Sequence, residues 1–318
     1  MSASLLASAG VSAIQLGAAV AGGPLLYGLM AKVRARAEGR AGAPVRQPLL
    51  DLWKLLGKER IHTGHSSVVL PLAPLVLIAS TAAAVVIAPL VSTGPALGRT
   101  SDAFVMVFLL LLGSVAVALA GLDAGTAFGG MGASRAMTIG ALAEPALLVA
   151  LLALSIQAGT SNLPGIVSAT LAHPGWVATP ERVLALAALV IVVLAEAGRI
   201  PVDNPSTHLE LTMIHEAMIL EYAGPELALV TLGGMMRLGL LLSLLSNLFF
   251  PWGIAATGSI PRLVLGLAVL AAKTGAIAGV IAVAEVSAAK LRLFRVPEIL
   301  SAAFVLSVLA VVTGLVLP

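Results

Sequence analysis

Read from its first residue, the chain alternates long apolar runs with shorter polar stretches. A helix needs about 20 mainly apolar residues to cross the hydrocarbon core of a bilayer. Eight runs qualify, roughly 5–31, 68–91, 103–122, 137–158, 181–198, 226–250, 262–284 and 298–317. They are rich in Ala, Leu and Val, the composition of lipid-facing helices, and proline and glycine punctuate their ends, as in LVSTGPALG after the second and FFPWG after the sixth. No repeat of 20 to 50 residues is visible. The expectation is an all-α polytopic membrane protein, one membrane domain over residues 1–318 with eight transmembrane helices.

Composition strengthens that expectation. Charged residues make up 10% of the chain and the mean hydropathy is +1.06, whereas a soluble domain carries about 25% charged side chains. The chain has no cysteine, so it cannot supply thiolates to an iron–sulfur cluster or to a metal, and any electron carrier belongs to a partner. The first residues, MSASLLASAG, lack the positive charges of a secretory signal, so the first apolar run is read as a retained span.

A sequence pI of about 9.6 raises the question of nucleic acid, but the basic residues lie beside apolar runs, and orientation in the bilayer accounts for them. Cytoplasmic loops retain Lys and Arg. The segment 32–67 holds Lys32, Arg34, Arg36, Arg40, Arg46, Lys54, Lys58 and Arg60, and the other connections on that side add Arg135, Arg199, Lys290, Arg292 and Arg295. The opposite side has Arg99, Arg182 and Arg262. Both termini are therefore expected outside, with 32–67 as a basic cytoplasmic loop. Trp176 and Trp252 fall near the outer boundary, where indoles anchor.

Against this background one stretch stands out. Residues 196–222, EAGRIPVDNPSTHLELTMIHEAMILEY, hold Glu196, Asp203, Glu210, Glu216 and Glu221, a third of the 15 acidic residues of the chain. Two of the five histidines, His208 and His215, lie there too. Pro201 and Pro205 exclude one continuous helix, and a helix is expected from about Ser206, capped by Ser206 or Thr207. At 100° per residue Glu210 and Glu221 share a face, and His208 and His215 share another. A solvated loop would carry lysines, and this acidic segment, 196–225, has none. Instead Leu209, Met213, Ile214, Met218, Ile219 and Leu220 interleave with the acids. Carboxylates in partly apolar surroundings exchange protons near neutral pH, so a row of them can relay protons.

Further ionisable residues fall at or within the runs. Glu144, Arg237, Lys273 and Glu285 each cost roughly 2.5 to 3.5 kcal/mol at a helix centre, so each is expected to face the bundle interior or a water-filled cavity. Glu144 and Lys273 can titrate; Arg237 is a fixed charge, because guanidinium does not deprotonate in proteins. GGMGAS at 129–134 lacks the Gly-Lys-Ser/Thr ending of a phosphate loop. His62 and His65 are two potential ligands beside a basic loop and are read as interfacial. No nucleotide site, nucleic-acid site or nucleophile–base pair is indicated.

Two long motifs then carry a resemblance. KVRARAEGRAGAPVRQPLLDLWKLLGKE, with Lys32, Arg34, Arg36, Arg40, Gly42, Pro44, Gln47, Pro48, Asp51, Lys54, Lys58 and Glu59, resembles the basic loop of the family that joins membrane subunit 1 of respiratory complex I to the membrane anchor of group 4 [NiFe]-hydrogenases. AEAGRIPVDNP, with Glu196, Arg199, Pro201, Asp203 and Pro205, is similar to the second signature of the family, and Glu210 and the Glu221–Tyr222 pair match its downstream acids. Ser206 and Thr207 after the second proline, and AGLDAGTAFGGMGASRAMTIGALAEPALL at 120–148, look like the hydrogenase branch, closest to formate hydrogenlyase subunit 4.

The resemblance implies a function. It implies a membrane anchor and proton-coupling subunit of a formate hydrogenlyase-like complex in a prokaryotic cytoplasmic (inner) membrane, without a cofactor of its own. A large subunit with a Ni–Fe centre and a small subunit with Fe–S clusters would dock on Arg34, Arg36, Arg40, Lys54 and Lys58. Protons would pass along Glu196, Asp203, Glu210, Glu216 and Glu221 toward Glu144 and Lys273 and on to antiporter-like membrane subunits, with Arg199 and Arg237 as structural charges. A quinone-site subunit of complex I and a stand-alone ion or solute carrier are the alternatives; paired repeats and broken helices, common in carriers, are not apparent.

Overall fold

The computed structural model describes residues 3–61, 66–200, 202–203, 213–255, 259–287 and 295–316. Eleven α-helices account for most of them: α1 (Ala3–Ala37), α2 (Gln47–Leu56), α3 (Val69–Ile87), α4 (Ala103–Asp123), α5 (Ala127–Ala158), α6 (Leu163–Ala172), α7 (Pro180–Glu196), α8 (His215–Met218), α9 (Gly224–Phe249), α10 (Ile260–Ser287) and α11 (Val296–Val316). Among the described residues the only β pairing is two isolated bridges, Ser92 with Ala255 and Asp102 with Asn162. The all-α membrane architecture read from the sequence is present.

The number of spans differs. Seven helices, α1, α3, α4, α5, α9, α10 and α11, are long and apolar enough to cross a membrane. The eighth expected span, 181–198, is α7, and its 17 residues cover only about 25 Å of a core about 30 Å thick. Its end is built into the sequence. Gly198 takes a left-handed conformation, φ 57°, just past the helix, and the Arg199 and Gly198 N–H groups close on the Leu194 and Ala195 carbonyls at 2.9 and 3.1 Å. This is the glycine stop in which the last free carbonyls are satisfied by the chain folding back.

Boundaries moved for reasons of local chemistry. α5 begins at Ala127, ten residues before the expected 137, because Thr126 caps it by accepting the Gly129 N–H at 3.2 Å. The glycine-rich GGMGAS run, too weakly apolar to register as a span, forms its first turns. A Cβ on Gly129 would sit 2.4 Å from the Gly121 carbonyl oxygen, so glycine is what lets α4 and α5 approach there. α1 continues to Ala37, past the expected 31, which puts Lys32, Arg34 and Arg36 on a helix instead of in a loop. α2 interrupts the rest of the expected basic loop. The helix expected from Ser206, with its cap, lies outside the described residues.

α9 is the axis of the bundle, packed against α1, α2, α3, α7 and α10. In its most apolar stretch 72% is buried, against 22% in α10 and α11, which turn most of their surface outward. α4 packs between α3 and α5, and α11 lies on α5 and α7. The connections gather at two ends. The basic end carries residues 38–61 and 66–68, the described residues of 196–223 and the C-terminus of α10. There Asp123 at the end of α4 accepts the Ser67 and Leu70 N–H groups at 2.9 and 3.1 Å and so caps α3. The opposite end holds 88–102, α6 and 250–255.

Candidate functional site

The short α7 leaves a space. At its first turn Arg182 reaches the Leu248 carbonyl near the C-terminus of α9, at 3.4 Å. At its last residue Glu196 pairs with Arg237, halfway along α9. Beyond that level no helix continues α7 toward the basic end among the described residues, and a cavity of about 420 Å³ lies there. Its walls are mostly apolar, with Leu77 of α3, Leu111 and Val117 of α4, Met137 of α5 and Leu227 and Met235 of α9, while Leu55 of α2 and Tyr27 of α1 also face it. Its charged groups and its histidine come from one segment and one helix: Glu196, Arg199, Asp203, His215 and Glu216 from the end of α7 through α8, and Arg237 from α9.

At the inner end of this cavity Arg237 organises two carboxylates. One Nη2 donates to Glu196 Oε2 and lies 3.7 Å from Glu144 Oε1, while Nη1 donates to the Leu110 carbonyl at 2.9 Å. The side chains are 8% exposed for Arg237, 6% for Glu196 and 7% for Glu144. Neither oxygen of Glu144 accepts a hydrogen bond among the described residues. The formal charge of the trio is −1. A buried charge without compensation is costly, and a single proton shared by the two carboxylates cancels it.

The mouth is shaped by the glycine stop. His215 at the start of α8 packs its ring on Gly198, where an added Cβ would lie 2.7 Å from Nδ1. Asp203 Oδ2 accepts the His215 N–H at 3.3 Å and lies 3.5 Å from its Nδ1. Arg135 of α5 donates to the Met213 carbonyl at 3.1 Å and fixes the strand of chain leading into α8. Beside the cavity a second cluster joins three elements: Glu285 of α10 lies 3.8 Å from Arg34 Nη1 of α1 and 3.7 Å from Arg199 Nη1, whose guanidinium stands 4.6 Å over the Tyr27 ring.

Comparison with known proteins meets the geometry at this point. The sequence matches the NADH dehydrogenase family over residues 11–315. The chain belongs to that family. It is 34% identical over 287 residues to hydrogenase-4 component C of Escherichia coli (strain K12), a match covering 90% of each protein. It is 32% identical over 290 residues to formate hydrogenlyase subunit 4 of the same strain, covering 91% of this chain and 93% of that one. The fold is that of a chain in the solved structure of the membrane-bound sulfane sulfur reductase, an archaeal respiratory membrane complex, with a TM-score of 0.80 over 96% of this chain and 98% of that one at 21% identity.

In this NADH dehydrogenase family chain the residues expected to act together divide into groups. Glu196, Asp203 and Glu216 line the cavity, and Glu144 joins them through Arg237. Glu221 is half-buried near the basic end and does not line the cavity. Glu210, His208, His62 and His65 lie outside the described residues. Lys273 is at the other end of the bundle, where Nζ donates to Asn247 Oδ1, the Phe250 carbonyl and the Trp252 carbonyl at 2.7, 2.8 and 3.2 Å, capping α9. Among the expected docking residues Arg36, Arg40, Lys54 and Lys58 are exposed, Arg40 in an ion pair with Glu38, whereas Arg34 turns inward to Glu285. Tyr27 carried no signal in the sequence, and neither did the pairing of Glu285 with Arg34 and Arg199, because these residues come from segments far apart along the chain.

Proposed function

We propose that this protein is the membrane anchor and proton-coupling subunit of a formate hydrogenlyase-like or other group 4 membrane-bound [NiFe]-hydrogenase complex. It sits in a prokaryotic cytoplasmic membrane with the basic end inside and both termini outside, which requires the short α7 to complete an eighth passage between the two ends. One observation carries the reading: a buried Glu144–Arg237–Glu196 trio, one proton short of neutrality, at the closed end of a cavity that leads from the basic end. The relatives named above, both subunits of hydrogen-metabolising complexes by name, support the choice of complex.

The exposed Arg36, Arg40, Lys54 and Lys58 offer a cationic surface to the large subunit, which would hold the Ni–Fe centre, and to a small subunit with Fe–S clusters. Electron transfer in those partners changes the charge above the cavity. Glu216 and the Asp203–His215 pair exchange protons with the cytoplasmic side, and Glu196 and Glu144, held by a guanidinium that stays charged, receive them within the bilayer. From Glu144 the proton passes to antiporter-like membrane subunits. Lys273, at the opposite end, takes a structural part.

Extraction of the tagged protein in mild detergent, with mass spectrometry and metal analysis of what co-purifies, tests this. A large subunit with paired metal-ligating cysteines, together with nickel and iron, is expected; a nickel-free set with NADH-binding modules would overturn it.

The cavity itself favours a second reading, a quinone-site subunit of complex I. Its apolar walls at membrane depth and its polar inner end suit a ligand with a polar ring and an apolar tail. That reading requires quinone reduction that is blocked by quinone-site inhibitors and lost in Asp203→Asn.

A further inference from the structure

Glu285 is a buried acid that the proton path does not use. It sits at the C-terminal end of α10, 4% exposed, and neither of its oxygens accepts a hydrogen bond among the described residues. Its contacts are the two guanidinium groups of Arg34 and Arg199, at 3.8 and 3.7 Å. Arg199 belongs to the same turn as Asp203, whose N–H its carbonyl accepts at 3.1 Å, and it lines the cavity. Its side chain is held from the other direction, by Glu285 and by the Tyr27 ring 4.6 Å away. The two arginines at the cavity are thus assigned to different acids, Arg237 to Glu196 and Glu144, and Arg199 to Glu285.

We propose that Glu285 is a positioning residue: it draws Arg199 toward α1 and α10, and so keeps a second guanidinium from neutralising the carboxylates of the cavity. This rests on the proton-coupling reading above for its consequence but not for its geometry. The charged and titratable groups bearing on the pair are Arg34 and Tyr27 from α1, Asp203 from the turn, Glu196 from α7, His215 and Glu216 from α8, and Arg237 from α9, itself engaged with Glu144.

The consequence follows from charge. When Glu285 loses its negative charge, Arg199 is free to rotate about its side-chain bonds toward Asp203 and Glu196. An added cation within about 4 to 6 Å favours the ionised carboxylate by about one to three pH units. The cavity acids then take up protons only at lower pH.

The test is a pH titration of the carboxyl band of the purified complex by infrared difference spectroscopy, run beside the pH profile of turnover. In Glu285→Gln the carboxyl titration moves to lower pH by about one unit. In Glu285→Gln/Arg199→Gln it coincides with that of Arg199→Gln alone, because Glu285 acts through Arg199. An unmoved titration in Glu285→Gln overturns the proposal, as does a double variant that differs from Arg199→Gln. Should Glu285→Gln fail to assemble with the buried Arg199 uncompensated, the comparison of Arg199→Gln with the double variant still decides. A shifted carboxyl titration with an unshifted turnover profile leaves the positioning role standing and counts against proton coupling.

Discussion

Replacing Arg237 by Gln removes the cation that, among the described residues, holds Glu196 and Glu144 together. Both carboxylates are less than a tenth exposed, and they are left facing each other at the inner end of the cavity. Breaking a buried ion pair by removing one partner costs about 3 to 5 kcal/mol. Set against a total stability of about 5 to 15 kcal/mol, that is a large fraction. Even the lower figure, about 3 kcal/mol, is more than 100-fold in the ratio of folded to unfolded protein, at 1.4 kcal/mol per factor of ten. The assay is the amount of tagged protein in membranes and its thermal unfolding in detergent. Arg237→Gln is expected to lower both strongly. Adding Glu196→Gln removes one of the two uncompensated charges and restores part of the loss, and adding Glu144→Gln restores more, while coupled activity stays absent throughout. Arg237→Gln protein as abundant and stable as the parent would refute the reasoning, and so would failure of the added substitutions to recover it.

Other consequences can be checked in the same preparations. Gly198→Ala forces a side chain into a left-handed turn and a Cβ to 2.7 Å from the His215 ring, so it should cost about 1 to 2 kcal/mol or more and impair coupled activity beyond its effect on protein level. Lys273→Met removes donors from three acceptors near the end of α9 and should lower the unfolding temperature, while proton movement per turnover in the surviving protein stays at the parental value; an altered ratio would bring Lys273 back into the path. Arg36→Glu should weaken attachment of the soluble subunits, read as their loss on mild detergent extraction; normal co-purification would count against the docking surface. Tyr222 donates to the Leu70 carbonyl at 2.8 Å, and burial, helped by Glu226 and Asp123, raises its pKa well above the usual tyrosine range. The folded phenol therefore stays neutral after the unfolded one ionises, so stability should fall as pH rises above about 10, and Tyr222→Phe, at a cost of about 1 kcal/mol, should remove that fall.

Hydrophobic runs made the membrane fold legible because burial in lipid demands them over whole helices. Where the runs failed, another force was acting. The early start of α5 depends on glycines that pack closely while contributing little hydropathy, and the short α7 depends on a glycine stop that an average over apolar residues does not register. The candidate site was half legible. The acids at 196, 203 and 216 stood out as too many carboxylates among aliphatics, and they do line one cavity. What could not be read was pairing across helices. Arg237 looked like a lone structural charge until α7 brought Glu196 to it and α5 brought Glu144. Lys273, equally unusual in an apolar run, went to the opposite end, where Asn247 and the Phe250 and Trp252 carbonyls just past α9 accept from it. Arg34 belonged by sequence to the docking loop, yet the extension of α1 carries it to Glu285.

The most direct test is the number of protons moved per turnover when the assembled complex, carrying Glu196→Gln, works in sealed vesicles. The expected result is assembly close to normal, some surviving turnover at the soluble subunits, and loss of the proton movement tied to it. Unchanged protons per turnover would contradict the role given to the Glu144–Arg237–Glu196 trio and leave the cavity to a different purpose.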